Sequence, residues 1–85
     1  MLKIVFFGRL RELLAIDELS IELRDQQPQS VAQVIENLAA KNSSFSAYIA
    51  EGNRLMIAVN QEITDISKQL QSGDELALFP PVTGG

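Results

Sequence analysis

Leu2, Ile4 and Phe6 alternate with Lys3, Val5 and Phe7 in a run rich in β-branched and aromatic residues that stops at Gly8. A period of two in such residues predicts a strand with the first set on one face and the second on the other. After Gly8, Leu10, Leu13 and Leu14 recur at helical spacing and predict a short helical turn whose other side carries Arg9, Arg11 and Glu12. Leu19, Ile21 and Leu23 alternate with Ser20, Glu22 and Arg24, which predicts a half-buried strand antiparallel to the first. Pro28 ends the connection that follows. Ser30 and Gln33 then have the spacing of a capping box, the hydroxyl serving the amide three residues on and the Gln side chain reaching back. The helix that starts there places Val31, Val34, Ile35 and Leu38 on one stripe and Gln33, Glu36, Asn37 and Lys41 on wetter sides, so it is the main core-facing helix. Phe45, Tyr48 and Ile49 predict one further helical turn before Glu51-Gly52-Asn53, which has turn chemistry.

Leu55 to Val59 is an apolar run bounded by turn residues and predicts a well-buried strand, with a short strand at Glu62 to Thr64 after an Asn60-Gln61 turn. Ser72-Gly73-Asp74 makes the last turn. Glu75 to Phe79 is the final strand, with Leu76 and Leu78 facing one way and Glu75, Ala77 and Phe79 the other. This order of elements predicts an α+β fold, one mixed sheet wrapped around one main helix. The 85 residues suffice for a single domain, expected over 1–79, followed by a flexible C-terminal tail over 80–85.

Composition narrows the function more than it narrows the fold. Seven Lys and Arg against eleven Asp and Glu give a net charge of −4 with no basic cluster, which argues against nucleic acid. The acidic balance suits a partner with a basic docking surface, and it equally suits solubility alone. The chain has no Cys and no His, which removes thiol nucleophiles, redox pairs, zinc sites and the usual general base. The apolar run at the N-terminus is too short for a signal peptide and no run reaches membrane-spanning length, so the expected location is cytoplasmic, without a membrane partner. Asn42-Ser43-Ser44 matches a glycosylation acceptor and reads as a chance match.

The sharpest signal is the ending, Pro80-Pro81-Val82-Thr83-Gly84-Gly85. At an average Gly usage of about 7%, two terminal glycines arise by chance in roughly 0.5% of chains. Frayed ends also carry glycines, but this pair follows Pro-Pro directly after a core strand. The prolines fix φ and donate no amide, so the tail cannot extend the sheet. Glycines allow the last peptide to thread a tunnel closed to side chains. The one reactive group at the tip is the α-carboxylate, ionised at neutral pH because its pKa is about 3.5. Acylation by it requires activation, for example as an acyl-adenylate. Without Cys, His, a phosphate-binding glycine loop or a P-loop lysine, the chain leaves that activation to partners.

Two adjacent acidic pairs, Asp17-Glu18 and Asp74-Glu75, sit beside turns and read as solvated loops ahead of metal or acid–base sites; no metal is expected. Arg9 and Arg11 fit either a docking contact or a wet helix face. Alternation turns Phe7 and Phe79 away from the core, and if the first and last strands are parallel neighbours the two rings meet where the tail emerges. Such a pair forms a docking patch unless a loop covers it.

The runs Lys3-Ile4-Val5-Phe6-Phe7-Gly8, Arg11-Glu12-Leu13 and Ala58-Val59-Asn60-Gln61, with the whole ending from Gly73 to Gly85, resemble the small subunits of molybdopterin synthases along essentially the full chain. The resemblance implies a ubiquitin-like β-grasp fold with the first and last strands parallel. It implies a sulfur carrier that is not an enzyme on its own: Gly85 is adenylated by a ubiquitin-activating-like adenylyltransferase and then thiocarboxylated. Sulfur then passes to cyclic pyranopterin monophosphate, forming the dithiolene of molybdopterin. Pro80, Pro81, Val82, Thr83 and Gly84 correspond to the threading tail, and Phe7, Arg11, Ile63 and Phe79 to positions that dock the activating enzyme or the large subunit. No cofactor is implied on this chain, ATP being used by the activating partner. A monomer when alone and a heterotetramer with the large subunit are implied. A carrier for thiamin or another thiolation pathway, a protein modifier joined to lysines, and a structural adaptor remain as other classes.

Overall fold

The computed structural model describes residues 1–22 and 29–81. Leu23, expected in the second strand, and Pro28 lie outside the described residues, as do Val82, Thr83, Gly84 and Gly85. Strand β1 (Leu2–Phe6) leads through Gly8 into α1 (Gly8–Leu14), and β2 (Glu18–Ile21) returns antiparallel to β1. A two-residue strand β3 (Gln29–Ser30) precedes α2 (Val31–Lys41) and α3 (Ser43–Ala50). Strands β4 (Met56–Val59), β5 (Glu62–Thr64), β6 (Gln69–Leu70) and β7 (Glu75–Phe79) follow among the described residues.

The main sheet has five strands in the order β2-β1-β7-β4-β5, so the last strand lies at its centre. β1 and β7 run parallel, with Ile4 opposite Leu76 and Phe6 opposite Leu78, while β4 pairs antiparallel with β7 and with β5. Leu2, Ile4, Leu76 and Leu78 are wholly buried, and Val31 and Val34 of α2 meet them in one core with Phe45 of α3. This is the expected α+β design, a mixed sheet around a main helix. No helix among the described residues is long and apolar enough to cross a membrane.

The capping box is present: the Gln33 N–H donates to Ser30 Oγ at 3.2 Å and the Ser30 N–H donates to Gln33 Oε1 at 2.9 Å. Helix α2 gains a second anchor that periodicity did not announce. The short β3–β6 ladder brings in the carbonyls of Lys68 and Ile66, which accept from the Val31 and Ala32 amides at 2.9 and 3.0 Å. Those are amides that a helix start leaves without an internal partner. Asn42 caps α3, its side chain accepting from the Phe45 N–H at 3.0 Å. The expected single turn around Phe45 is an eight-residue helix, because the Ser and Ala residues between its apolar positions extend it without adding to the stripe.

Helix α1 differs from expectation in its buried face. Leu10 and Leu14 are buried, whereas Leu13 is 49% exposed. Residues four apart share a face, and the one beside them points to the flank. The helix ends on Ala15, whose φ of 57° is left-handed and whose N–H donates to the Arg11 carbonyl at 2.9 Å. This cap position favours glycine. Because Ala15 is exposed, Ala15→Gly loses no packing and is expected to stabilise the fold by about 0.5–1 kcal/mol, measured by urea denaturation. A lower midpoint at unchanged slope would show that the left-handed cap is not strained.

Candidate functional site

Strand registers assemble the outer face of the sheet row by row. Val5 lies opposite Ala77, Ala77 opposite Ala58, and Ala58 opposite Ile63, so one apolar row crosses β1, β7, β4 and β5. Ala58 and Ala77 are buried yet stand apart from the core cluster. The next row, toward the end of β7, pairs Phe79 with Met56. On the other side the Phe7 N–H donates to the Leu78 carbonyl at 3.1 Å, which continues the parallel register and sets Phe7 beside Phe79.

Phe7, Phe79 and Ile63 are therefore brought onto one face, with Phe7 47% and Ile63 63% exposed and Phe79 half-buried. At that exposure no described loop covers Phe7. Arg11 stands apart on α1, its Nε 3.6 Å from Asp17 Oδ1 in an exposed pair. Pairs of that kind are weak in water. The arginine thus has an internal carboxylate partner, which the sequence did not suggest. Pro80 and Pro81 are half-buried at the root of the tail. The proposed tail residues Val82, Thr83, Gly84 and Gly85 lie outside the described residues.

The opposite end of the same face is charged. Lys3 Nζ lies 3.0 Å from Glu18 Oε1 and 3.6 Å from Glu75 Oε2. The hydrogen bond to Glu18 and its charge, with a smaller contribution from Glu75, raise the Lys3 pKa. Reading the two acidic pairs as solvated loops is corrected for Glu18, which lies in β2 and with Glu75 of β7 clasps Lys3 across three strands, whereas Asp17 is exposed beside β2.

Asp74 ties the site's far turn together. Its carboxylate accepts from the Gln71 N–H at 2.8 Å and from Asn60 Nδ2 at 2.9 Å, while Asn60 Oδ1 accepts from the Glu75 N–H at 3.0 Å. The Gln71 amide first, then the Asn60 side chain and the charge of Lys68, hold the Asp74 pKa below the usual range. A depressed carboxylate gives stability that is present above its unfolded value of about 4 and is lost as pH falls through the folded value. Asn60 and Gln61 have φ of 51° and 70°, the left-handed pair that a two-residue hairpin loop needs to match strand twist. The sequence marks Asn60 as a turn residue and as part of the Ala58-Val59-Asn60-Gln61 run, and announces no side-chain partner for it. Its pair of side-chain hydrogen bonds, to Asp74 and to Glu75 at the start of β7, forms only when the β4–β5 turn is folded against the Asp74 turn.

The sequence pattern of the ThiS family matches residues 4–85. The chain belongs to the ThiS family. It is 39% identical over 85 residues to the molybdopterin synthase sulfur carrier subunit of Haemophilus influenzae, covering 100% of each chain. Among solved structures it is similar to SAMP1 of Haloferax volcanii, with a TM-score of 0.80, 22% identity and coverage of 99% and 98% of the two chains. It is also similar to a chain in the complex of subunits 1 and 2 of the molybdopterin-converting factor of Helicobacter pylori. That match has a TM-score of 0.67, 20% identity and coverage of 99% and 97%. At such identities the two structures bear on the fold, which is the ubiquitin-like β-grasp. The ThiS match extends through the Gly84-Gly85 ending, beyond the last strand that the structure describes.

Proposed function

We propose that this ThiS-family chain is the sulfur carrier subunit of a molybdopterin synthase, with Gly85 carrying sulfur as a C-terminal thiocarboxylate. The observation that carries this reading is the full-length identity to a molybdopterin synthase sulfur carrier subunit, in a chain whose tail ends in Gly84-Gly85. In the proposed sequence the Gly85 carboxylate attacks the α-phosphorus of ATP on an activating enzyme, and pyrophosphate leaves. A sulfur donor then displaces AMP from the acyl carbon. The thiocarboxylate sulfur bonds to cyclic pyranopterin monophosphate in the large subunit, and water then cleaves the acyl carbon–sulfur bond, leaving sulfur on the pterin and returning the free carboxylate. The carrier contributes the reacting carboxylate and the docking face; with neither Cys nor His it supplies no acid–base catalyst of the usual kind.

Phe7, Phe79 and Ile63 are the proposed anchors on the outer face, and Arg11 a charge that exchanges Asp17 for a partner carboxylate. The large subunit and the ubiquitin-activating-like enzyme are the proposed partners, in the cytoplasm, with a heterotetramer as the synthase assembly.

Intact-mass measurement tests the reading. With ATP, the activating enzyme and a sulfur donor, the chain should gain the mass difference of one oxygen replaced by sulfur. Adding the large subunit and the cyclic pyranopterin should restore the original mass as molybdopterin forms. Recovery only as lysine conjugates, with no thiocarboxylate, would replace the carrier reading by that of a protein modifier.

A further inference from the structure

Three glycines fall among the described residues, all with positive φ: Gly8 at 61°, Gly52 at 82° and Gly73 at 95°. They differ in what surrounds them. A β-carbon built on Gly52 or Gly73 would meet nothing within 4 Å, whereas one on Gly8 would stand 3.5 Å from both Cδ and Cγ of Pro80. Gly8 is where β1 turns into α1, and Pro80 is the first residue after β7. The ring of the tail's first proline therefore lies over the bare backbone of the strand-to-helix turn.

We propose that Gly8 is a positioning residue, the seat on which Pro80 rests and which fixes the direction in which the C-terminal tail leaves the sheet. The proposal rests on the carrier reading. Pro80 has its φ locked by its own ring, and Pro81 restricts the ψ of Pro80 to extended values. From Phe79 to Pro81 the chain is thus a short stiff arm. A shift of the Pro80 ring turns that arm and with it the direction in which the chain leaves Pro81. Misplacement by an ångström at a reacting centre is enough to slow chemistry by orders of magnitude.

Side-chain size at position 8 separates this role from backbone strain. An alanine β-carbon only touches the ring, so Gly8→Ala costs stability through its φ and leaves the ring in place. Valine fills two of the three staggered positions beyond Cβ and pushes the ring aside. Gly52→Val carries a comparable positive-φ strain with nothing beside it, and serves as the control.

The experiment uses the full chain, converted to its thiocarboxylate, with the large subunit at saturating concentration and below the melting temperature of every variant. The expected result is a single-turnover sulfur transfer slowed about tenfold or more in Gly8→Val, near wild type in Gly8→Ala and Gly52→Val, with unchanged affinity for the large subunit. Wild-type transfer by Gly8→Val, or equal slowing by Gly52→Val, would overturn the seat. Should Gly8→Val not fold, Pro80→Ala removes the ring over an intact Gly8, and a wild-type rate there would overturn the proposal equally. Failure of the wild-type chain to form a thiocarboxylate would instead strike the carrier reading.

Discussion

Chains lacking Gly84 and Gly85 are expected to melt at the temperature of the full chain and to deliver no sulfur. The first half follows from where the core ends. Leu76 and Leu78 are wholly buried in β7, and the described core draws nothing from beyond it. Removing Gly84 and Gly85 takes no side chain out of that core. The second half follows from chemistry. The carboxylate of the truncated chain would belong to Thr83, too far back for the activating site and burdened with a β-branched side chain. One residue added after Gly85 should have the same effect by converting the reacting carboxylate to an amide. Calorimetry and the mass assay on the same samples check both halves. A fall in melting temperature would mean that the tail packs against the body, and retained transfer would mean that sulfur is carried elsewhere.

Phe79→Ala is expected to weaken binding to the large subunit by about 2–4 kcal/mol, the range for truncation of a central aromatic anchor. Phe79 lies in the middle strand of the sheet, between Phe7 and Met56, where water is most readily excluded by a docked surface. Its half-buried ring limits the loss of folding stability to a fraction of what a core phenylalanine costs. Phe45 of α3, 1% exposed in the core, is the comparison: its truncation falls in the range of about 3–5 kcal/mol of stability. Titration calorimetry beside thermal melts separates the two effects. Unchanged binding with a large loss of stability would make Phe79 a core residue and dissolve the anchor.

Strong local signals carried most of this architecture. The alternation of Leu2, Ile4 and Phe6, the Ser30–Gln33 pair and the facing of Leu76 and Leu78 each follow from spacing within a few residues, and the structure shows each of them. The β3–β6 ladder escaped because two residues are too few to display a period, and its purpose is to satisfy amides of α2 far away in sequence. Leu10, Leu13 and Leu14 fit one stripe as three leucines in five residues, whereas a seven-residue helix buries a narrower line. Asn42 matches a sugar acceptor only by chance, and its role as the cap of α3 goes unannounced because the same side chain suits both motifs. At the candidate site the outward facing of Phe7 and Phe79 was legible from alternation alone. The contact of Gly8 with Pro80 was not, because it depends on β1 and β7 lying side by side.

That pairing also orders events during synthesis. The centre of the sheet joins residues near the two ends of the sequence, Lys3 with Glu75 and Phe6 with Leu78. Such long-range contacts form late. While β7 is still inside the ribosome, β1 and β4 have no common neighbour and the five-stranded sheet cannot close. A nascent fragment therefore offers neither a folded body nor the Phe7–Phe79 face, and an enzyme that reads that face engages only chains whose β7 has left the ribosome.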